Sequence, residues 1–277
     1  MKRTVAFIAA ATVVMSCTSC LNIGGSLKEK AVYKESVTEE TGDAVELLIT
    51  ENVGNITLTR AEGKTAEISY KYEIKASSKE LIDELYDHIS ADTEVSGNLL
   101  TVSYTDKESG ADIWEWIENN HKGDINLSVY TDIALPDSFT DFTATTDVGN
   151  VKADSLSGKF MLTSNVGSIS VNSVNICDGS VLVTDVGRIE ASPNTSQGII
   201  ALKTDVGGIK LTLDSVSENE CSYSAETNTG SVTLKTSGEV TEESGSNDKT
   251  KTVKIGDKCS VYMKTDVGKI IIGQEEK

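Results

Sequence analysis

Apolar residues take alternate positions in short stretches of this chain, and the stretches come in pairs around a polar step that ends in glycine. Ahead of the step stand Leu47 and Ile49, Phe142 and Ala144, Phe160 and Leu162, and Ile200 and Leu202. Behind it stand Ile56 and Leu58, Val151 and Ala153, Ile169 and Val171, and Ile209 and Leu211. Charged or hydroxyl residues such as Lys152, Ser170, Glu190 and Lys210 fill the positions between. A period of two puts one set of side chains on each face of an extended chain. Each pair therefore predicts two short strands with one buried and one solvated face.

The step itself reads Thr146-Asp147-Val148-Gly149-Asn150-Val151 in its first regular copy and Thr184-Asp185-Val186-Gly187-Arg188-Ile189 in a later one. Its glycines are Gly54, Gly149, Gly167, Gly187, Gly207, Gly230 and Gly268, and from Gly149 onward they lie 18, 20, 20, 23 and 38 residues apart. The outlying first copy carries Glu51-Asn52 where the others open on Thr or Ser followed by Asp or Asn. Asp and Asn bend a chain by bonding to nearby backbone, and glycine accepts positive φ, so the step predicts a corner. A fixed period near twenty residues predicts stacked units sharing one core. The fold class is therefore all-β: a β-solenoid of about 20-residue coils whose corner side chains stack roughly 4.8 Å apart.

Residues 137–277 hold the regular coils and 31–136 a less regular β region carrying one short helix. That helix begins at Ser77-Ser78-Lys79-Glu80 and buries Leu81, Ile82, Leu85 and Ile89. Ser77 or Ser78 is its cap, and Glu80 completes a capping box from Ser77. Strands Leu99 to Tyr104 and Ile125 to Ala134 follow, separated by an acidic loop or short helix with Trp114 and Trp116. The stretch Glu239 to Lys251, rich in Glu, Ser, Gly and Asn, is expected to loop out of one coil.

Composition fits a thin core, with 38% apolar and 5% aromatic residues in 277. A net charge of -18 argues against nucleic acid and against an anionic membrane face as partners. The N-terminus reads as a targeting segment: Lys2 and Arg3 precede the apolar run Val5 to Met15, too short to span a bilayer. Val14-Met15-Ser16-Cys17 resembles a lipoprotein lipobox, with lipid attachment at Cys17 and Cys20 as the alternative. Residues 1–19 are then signal and attachment segment and 20–30 a tether, which makes the membrane a partner through a lipid anchor. Cys177, Cys221 and Cys259 precede their motif glycines by 10, 9 and 9 residues. Buried, unreactive thiols are the first expectation, and a Cys221–Cys259 disulfide the alternative if those two coils are neighbours.

The T-[DN]-x-G-x-[IV] repeats, the leader and the irregular β start resemble the bacterial putative adhesin family, and are similar to the head GIN domain adhesin lipoproteins of Bacteroidetes. The resemblance covers about residues 31 to 272. It implies a β-solenoid exposed to the cell envelope and no established enzymatic activity. The expected address is the outer membrane, with the surface and periplasmic faces both open.

Three candidate sites follow from the residues. The Asx column Asp147, Asn165, Asp185, Asp205, Asn228 and Asp266 offers oxygen ligands along one edge, yet one carboxylate per coil is a poor calcium cage and turn formation explains the column. No metal or other cofactor is expected. Trp114 and Trp116 form either a stacking platform for a sugar or a cap on the open end of the core. His88 is placed on the solvated side of the helix and His121 in a loop, with no nucleophile pattern beside them. Glu115 and Glu118 lack any indication of the separation a glycosidase needs. The expected function is non-enzymatic binding or adhesion, toward an unknown protein or glycan. A periplasmic structural or stress-sensing module is the alternative, and a β-helix carbohydrate-active enzyme a weaker one.

Overall fold

The structure, a computed structural model, describes residues 27–213, 221–235, 240–241, 249–254 and 256–273. The leader, Cys17 and Cys20 lie outside the described residues. The described residues are all-β with two short helices, and their strands connect into one large sheet.

The N-terminal part contains β1 (Glu29–Glu40), β2 (Glu46–Arg60) and β3 (Thr65–Ala76), then α1 (Lys79–His88). It continues through β4 (Ile89–Ser96), β5 (Leu99–Asp106), α2 (Ile113–Asn120) and β6 (Ile125–Leu135). A second helix thus occupies the stretch that carries both tryptophans, which the sequence leaves open between an acidic loop and a short helix. Asp112 begins it, its side chain accepting from the Trp114 and Glu115 amides at 2.9 and 3.0 Å. In α1 the cap is Ser78, which accepts from the Leu81 amide at 3.4 Å. Glu80 is then the second helical residue, one short of the position from which a capping box closes.

The regular part pairs a longer strand before each corner with a short one after it. These are β7 (Asp141–Val148) with β8 (Val151–Asp154), and β9 (Ser157–Val166) with β10 (Ile169–Asn172). The two-residue β11 (Asn175–Ile176) leads to β12 (Ser180–Val186) and β13 (Ile189–Ser192), and β14 (Thr195–Ser196) to β15 (Gly198–Val206) and β16 (Ile209–Thr212). Last come β17 (Cys221–Lys235), β18 (Val240–Thr241), β19 (Thr250–Lys254) and β20 (Cys259–Gly273).

Parallel pairing in constant register stacks these units as rungs: Phe142 meets Phe160, Leu162 meets Leu182, and Leu182 meets Leu202. The rings of Phe142 and Phe160 stack with centroids 4.9 Å apart, the spacing of neighbouring strands. The alternating apolar residues are buried as the pattern requires, among them Ile49, Ile56, Leu162, Leu182 and Ile209.

Rung order departs from chain order at both ends. The first motif copy, in β2, stacks directly on β7 and β8 although some ninety residues separate them in the chain: Ile49 pairs with Ala144 and Ile56 with Val151. On its other side β2 meets two strands, β5 along Glu46 to Ile49 and β6 along Gly54 to Arg60. Antiparallel β4 extends β5, and β3 and β1 extend β6.

At the C-terminal end β20 inserts between β15–β16 and β17, parallel to both. The copy at Gly268 therefore neighbours Gly207, and the copy at Gly230 lies beyond it. Parts of the expected loop are strands: β19 runs antiparallel to β17, and β18 to β19. Residues 239 and 242–248 lie outside the described residues.

The insertion brings Cys221 opposite Cys259, with Cα atoms 4.5 Å apart, and a disulfide joins them. Gly198 holds the matching place one rung on. Cys177 does not share that column, because Ile176 is the residue opposite Gly158; it is a half-buried free thiol whose pKa burial pushes up. Reducing the disulfide should lower the unfolding free energy by about 2–4 kcal/mol, the usual range for such a cross-link. Thermal melts with and without reductant check this, and a Cys221→Ser chain should match the reduced protein and ignore reductant.

Candidate functional site

The corner column has an internal logic the motif only hints at. A Cβ built on Gly149 would lie 1.5 Å from the Gly54 carbonyl oxygen, on Gly167 1.8 Å from that of Gly149, and on Gly187 1.8 Å from that of Gly167. The series continues with Gly207 on Gly187 at 1.6 Å, Gly268 on Gly207 at 1.6 Å and Gly230 on Gly268 at 1.7 Å. The rungs thus pack backbone on backbone, and no side chain fits between. Positive φ is secondary: Gly149, Gly167, Gly207 and Gly230 have φ of 148–155°, but Gly187 and Gly268 do not share this region. At Gly187, where the corner motif predicts a positive φ, the need for glycine comes instead from the contact with Gly167.

The motif's first residue completes the corner. Ser164 Oγ donates to the Gly149 carbonyl at 2.7 Å, Thr184 to Gly167 at 2.8 Å and Thr265 to Gly207 at 3.0 Å. Each hydroxyl is buried and satisfies a carbonyl oxygen of the rung before.

Two columns next to the glycines face outward. The third motif residue leaves Val148, Val166, Val186, Val206 and Val267 each about half exposed, at 47–49%. Beside it the Asx column is exposed, apart from the half-buried Asp266, and its side chains bond between rungs. Asn165 Nδ2 donates to Asp147 Oδ1 at 2.9 Å, and Asn228 Nδ2 to Asp266 Oδ1 at 2.8 Å. Because β20 is inserted, Asp185, Asp205 and Asp266 occupy successive rungs with Asn165 and Asn228 at either side. Among the described residues no group of three or more His, Cys, Asp or Glu side chains is arranged to hold a metal ion.

The tryptophans sit at the opposite end of the stack, on α2 against β5. Both are partly buried and pack on the core. Trp114 meets Tyr104 edge-on at 5.7 Å, and its Nε1 is buried without a hydrogen-bond partner. Trp116 is stacked by His88 at 4.4 Å, with the tilted His121 ring at 5.1 Å. The structure thus brings together Trp116 and both histidines, which had been read as separate features.

His88 is not on a solvated face: its Nδ1 lies 2.6 Å from Oδ1 of the buried Asp106. Asp106 also accepts from Ser109 Oγ at 2.5 Å and Ser109 N at 2.8 Å. The Ser109 hydroxyl bond, with the His88 contact contributing less, holds its carboxyl down to about 2. Ser109 is bonded to the carboxylate and not to the imidazole, so these three residues lack the order of a nucleophilic triad. Glu118 is tied to Lys122 at 2.8 Å on the exposed side of α2.

A buried polar cluster lies where β2 passes from β5 to β6. Glu51, at 1% exposure, accepts through Oε1 from Tyr104 at 3.2 Å and from the Thr131 hydroxyl, and its Oε2 has no partner. Burial raises its pKa to about 8, against the smaller lowering effect of the two hydroxyls. This cluster escaped the sequence reading, although its signal was present: Glu51 stands where every other copy has Thr or Ser.

No protein-family model matches the chain, and neither does any curated protein. Among solved structures it is similar to a putative cell adhesion protein from Clostridium sporogenes, at 16% identity over 87% of this chain and 99% of that one, with a TM-score of 0.45. A putative adhesin from Bacteroides fragilis aligns at 13% identity over 86% and 96%, with a TM-score of 0.30. Another, from Parabacteroides merdae, aligns at 10% identity over 88% and 96%, with a TM-score of 0.26. One of these neighbours is thus described as a putative cell adhesion protein and the other two as putative adhesins, in keeping with the family that the repeats resemble.

Proposed function

We propose that the stacked rungs form a β-solenoid, and that the protein is a non-enzymatic cell-envelope lipoprotein which presents this solenoid for binding or adhesion. The observation that carries the reading is the contrast between the corner and the columns around it. Glycine, buried hydroxyl and core residue recur in every regular rung, whereas the residue after the glycine changes from Asn150 to Ser168, Arg188, Gly208 and Lys269. A constant backbone that displays variable side chains at strand spacing is a recognition surface, as in other stacked-repeat proteins. The Cys221–Cys259 disulfide fits an oxidising compartment. The lipobox-like leader sequence supports a lipid anchor at Cys17, with Cys20 as the alternative.

Protease shaving of intact cells, followed by blotting for this chain, tests the reading. Loss of the protein is the expected result. Protection until the outer membrane is opened would put the solenoid in the periplasm and favour the structural or stress-sensing module.

A further inference from the structure

We infer that the outward face of β1, β3, β6 and β2 is a binding site for a carboxylate-bearing sugar. Pairing across these four strands sets Lys34 opposite Lys71, Lys71 opposite Tyr130, and Tyr130 opposite Asn55. One step along, Ser69 meets Asp132 and Asp132 meets Thr57. The two rows line a pocket of about 520 Å³, within the usual size range of small-ligand sites.

Each row supplies one half of the recognition. On a chain of net charge -18, lysines on this sheet are commonly neutralised: Lys30 and Lys75 both pair with Glu73, at 2.9 and 3.4 Å. Lys34 and Lys71 make no ion pair among the described residues, and cross-strand partners stand about 5 Å apart at Cβ. Two such ammonium groups suit one carboxylate, and charge-assisted hydrogen bonds are the strong kind. The Lys71 ammonium lies 3.7 Å from the centre of the Tyr130 ring, which restrains both groups and leaves the tyrosine as part of the wall.

Asn55 is fixed from the other side. Its Oδ1 accepts from the backbone N of Asn150 at 2.8 Å and from Asn150 Nδ2 at 3.2 Å, which leaves its own amide nitrogen as a donor. The second row, with the Asp132 carboxylate and the Thr57 and Ser69 hydroxyls, offers acceptors and donors for sugar hydroxyls. A cation pair at one side and a hydroxyl-seeking row at the other match an acidic monosaccharide unit better than a bare anion, which has no use for Asp132. Glu35 lines the pocket with Asp132, its Oε1 accepting from the Tyr86 hydroxyl at 2.9 Å, and the acidic groups farther off oppose such a ligand only weakly, because charge is screened over about 8 Å at physiological ionic strength.

This inference names a ligand class for the binding role proposed above, but its test does not depend on where the protein is exposed. The full chain is titrated by calorimetry with a galacturonic-acid oligosaccharide, with its methyl ester and with polyglutamate. The acid is expected to bind, and the ester, which keeps every hydroxyl and loses the charge, to bind about tenfold or more weakly. Lys34→Gln and Lys71→Gln should each weaken binding by a similar factor with an unchanged melting temperature, since both residues project from the outer face. Equal binding of acid and ester, indifference to both lysine substitutions, or no binding of the acid would overturn the site. Polyglutamate binding as well as the sugar would overturn the ligand class. Sugar binding by a protein that shaving finds in the periplasm would keep the site and remove the adhesion reading. A shaved protein without sugar binding would do the reverse.

Discussion

Gly207→Ala is expected to cost the protein more than about 4 kcal/mol, while Gly208→Ala, one residue along, costs less than about 1 kcal/mol. The difference is mainly one of place, and the φ of +148° at Gly207, which Gly208 does not share, adds to it. The new methyl at Gly207 would lie 1.6 Å from the Gly187 carbonyl oxygen, which cannot move without opening the rung below. At Gly208 the nearest atom is the Lys269 carbonyl oxygen at 3.2 Å, a contact relieved by a few tenths of an ångström. Relief at Gly207 would also strain the bond from its own N–H to Val267 O, now 2.9 Å, on the rung above. The loss therefore spreads to rungs on both sides, as expected where each unit is stable only through its neighbours. Denaturant melts of the two single variants check the contrast. Equal stability of Gly207→Ala and the parent would mean that the rungs are not packed backbone on backbone.

The second large effect is a dependence on pH. Burial raises Glu51 to about 8 in the folded protein, against an ordinary value of 4.5. A group with a raised native pKa contributes its full stability below the unfolded value and loses it as pH rises through the native one. Stability should accordingly fall between about pH 5 and 8, by roughly 1.4 kcal/mol per pH unit at most. In a chain of this size that amounts to roughly 3–5 °C in melting temperature per pH unit. The lowered carboxyl of Asp106, at about 2, acts below this window and in the opposite sense. Glu51→Gln keeps an acceptor for Tyr104 and Thr131 and cannot ionise, so the difference between variant and parent should grow steadily in the variant's favour from pH 5 to 8. Parallel melting curves across that range would show that Glu51 is not buried as a neutral acid.

The strands flanking each corner were legible because a buried face imposes a period of two, and Leu162, Leu182 and Leu202 announce it plainly. The glycine column was legible as a column, but its cause was not, since the Gly187–Gly167 contact exists only between rungs. Rung order was hidden for a related reason. Near-identical copies carry no mark of which neighbour they prefer, and the steps of 23 and 38 residues suggested insertions more than a strand slotted between two others. Only Cys221 and Cys259 hinted that their rungs touch. The polar sites formed through pairings remote in sequence, His88 with Asp106 across α1 and β5 and Lys71 with Tyr130 across β3 and β6. Alternation gives the face of each such residue but never the strand beside it.

The most direct test of the stacked ladder is therefore a cross-link between corner residues whose adjacency depends on the inserted strand. Asp205 and Asp266 occupy successive rungs in the Asx column, and Asn228 lies one rung further. In a Cys177→Ala background, the pair Asp205→Cys and Asp266→Cys should join under mild oxidation, and the pair Asp205→Cys and Asn228→Cys should not. Efficient joining of the second pair and none of the first would mean that the rungs stack in chain order, and would contradict the ladder described here.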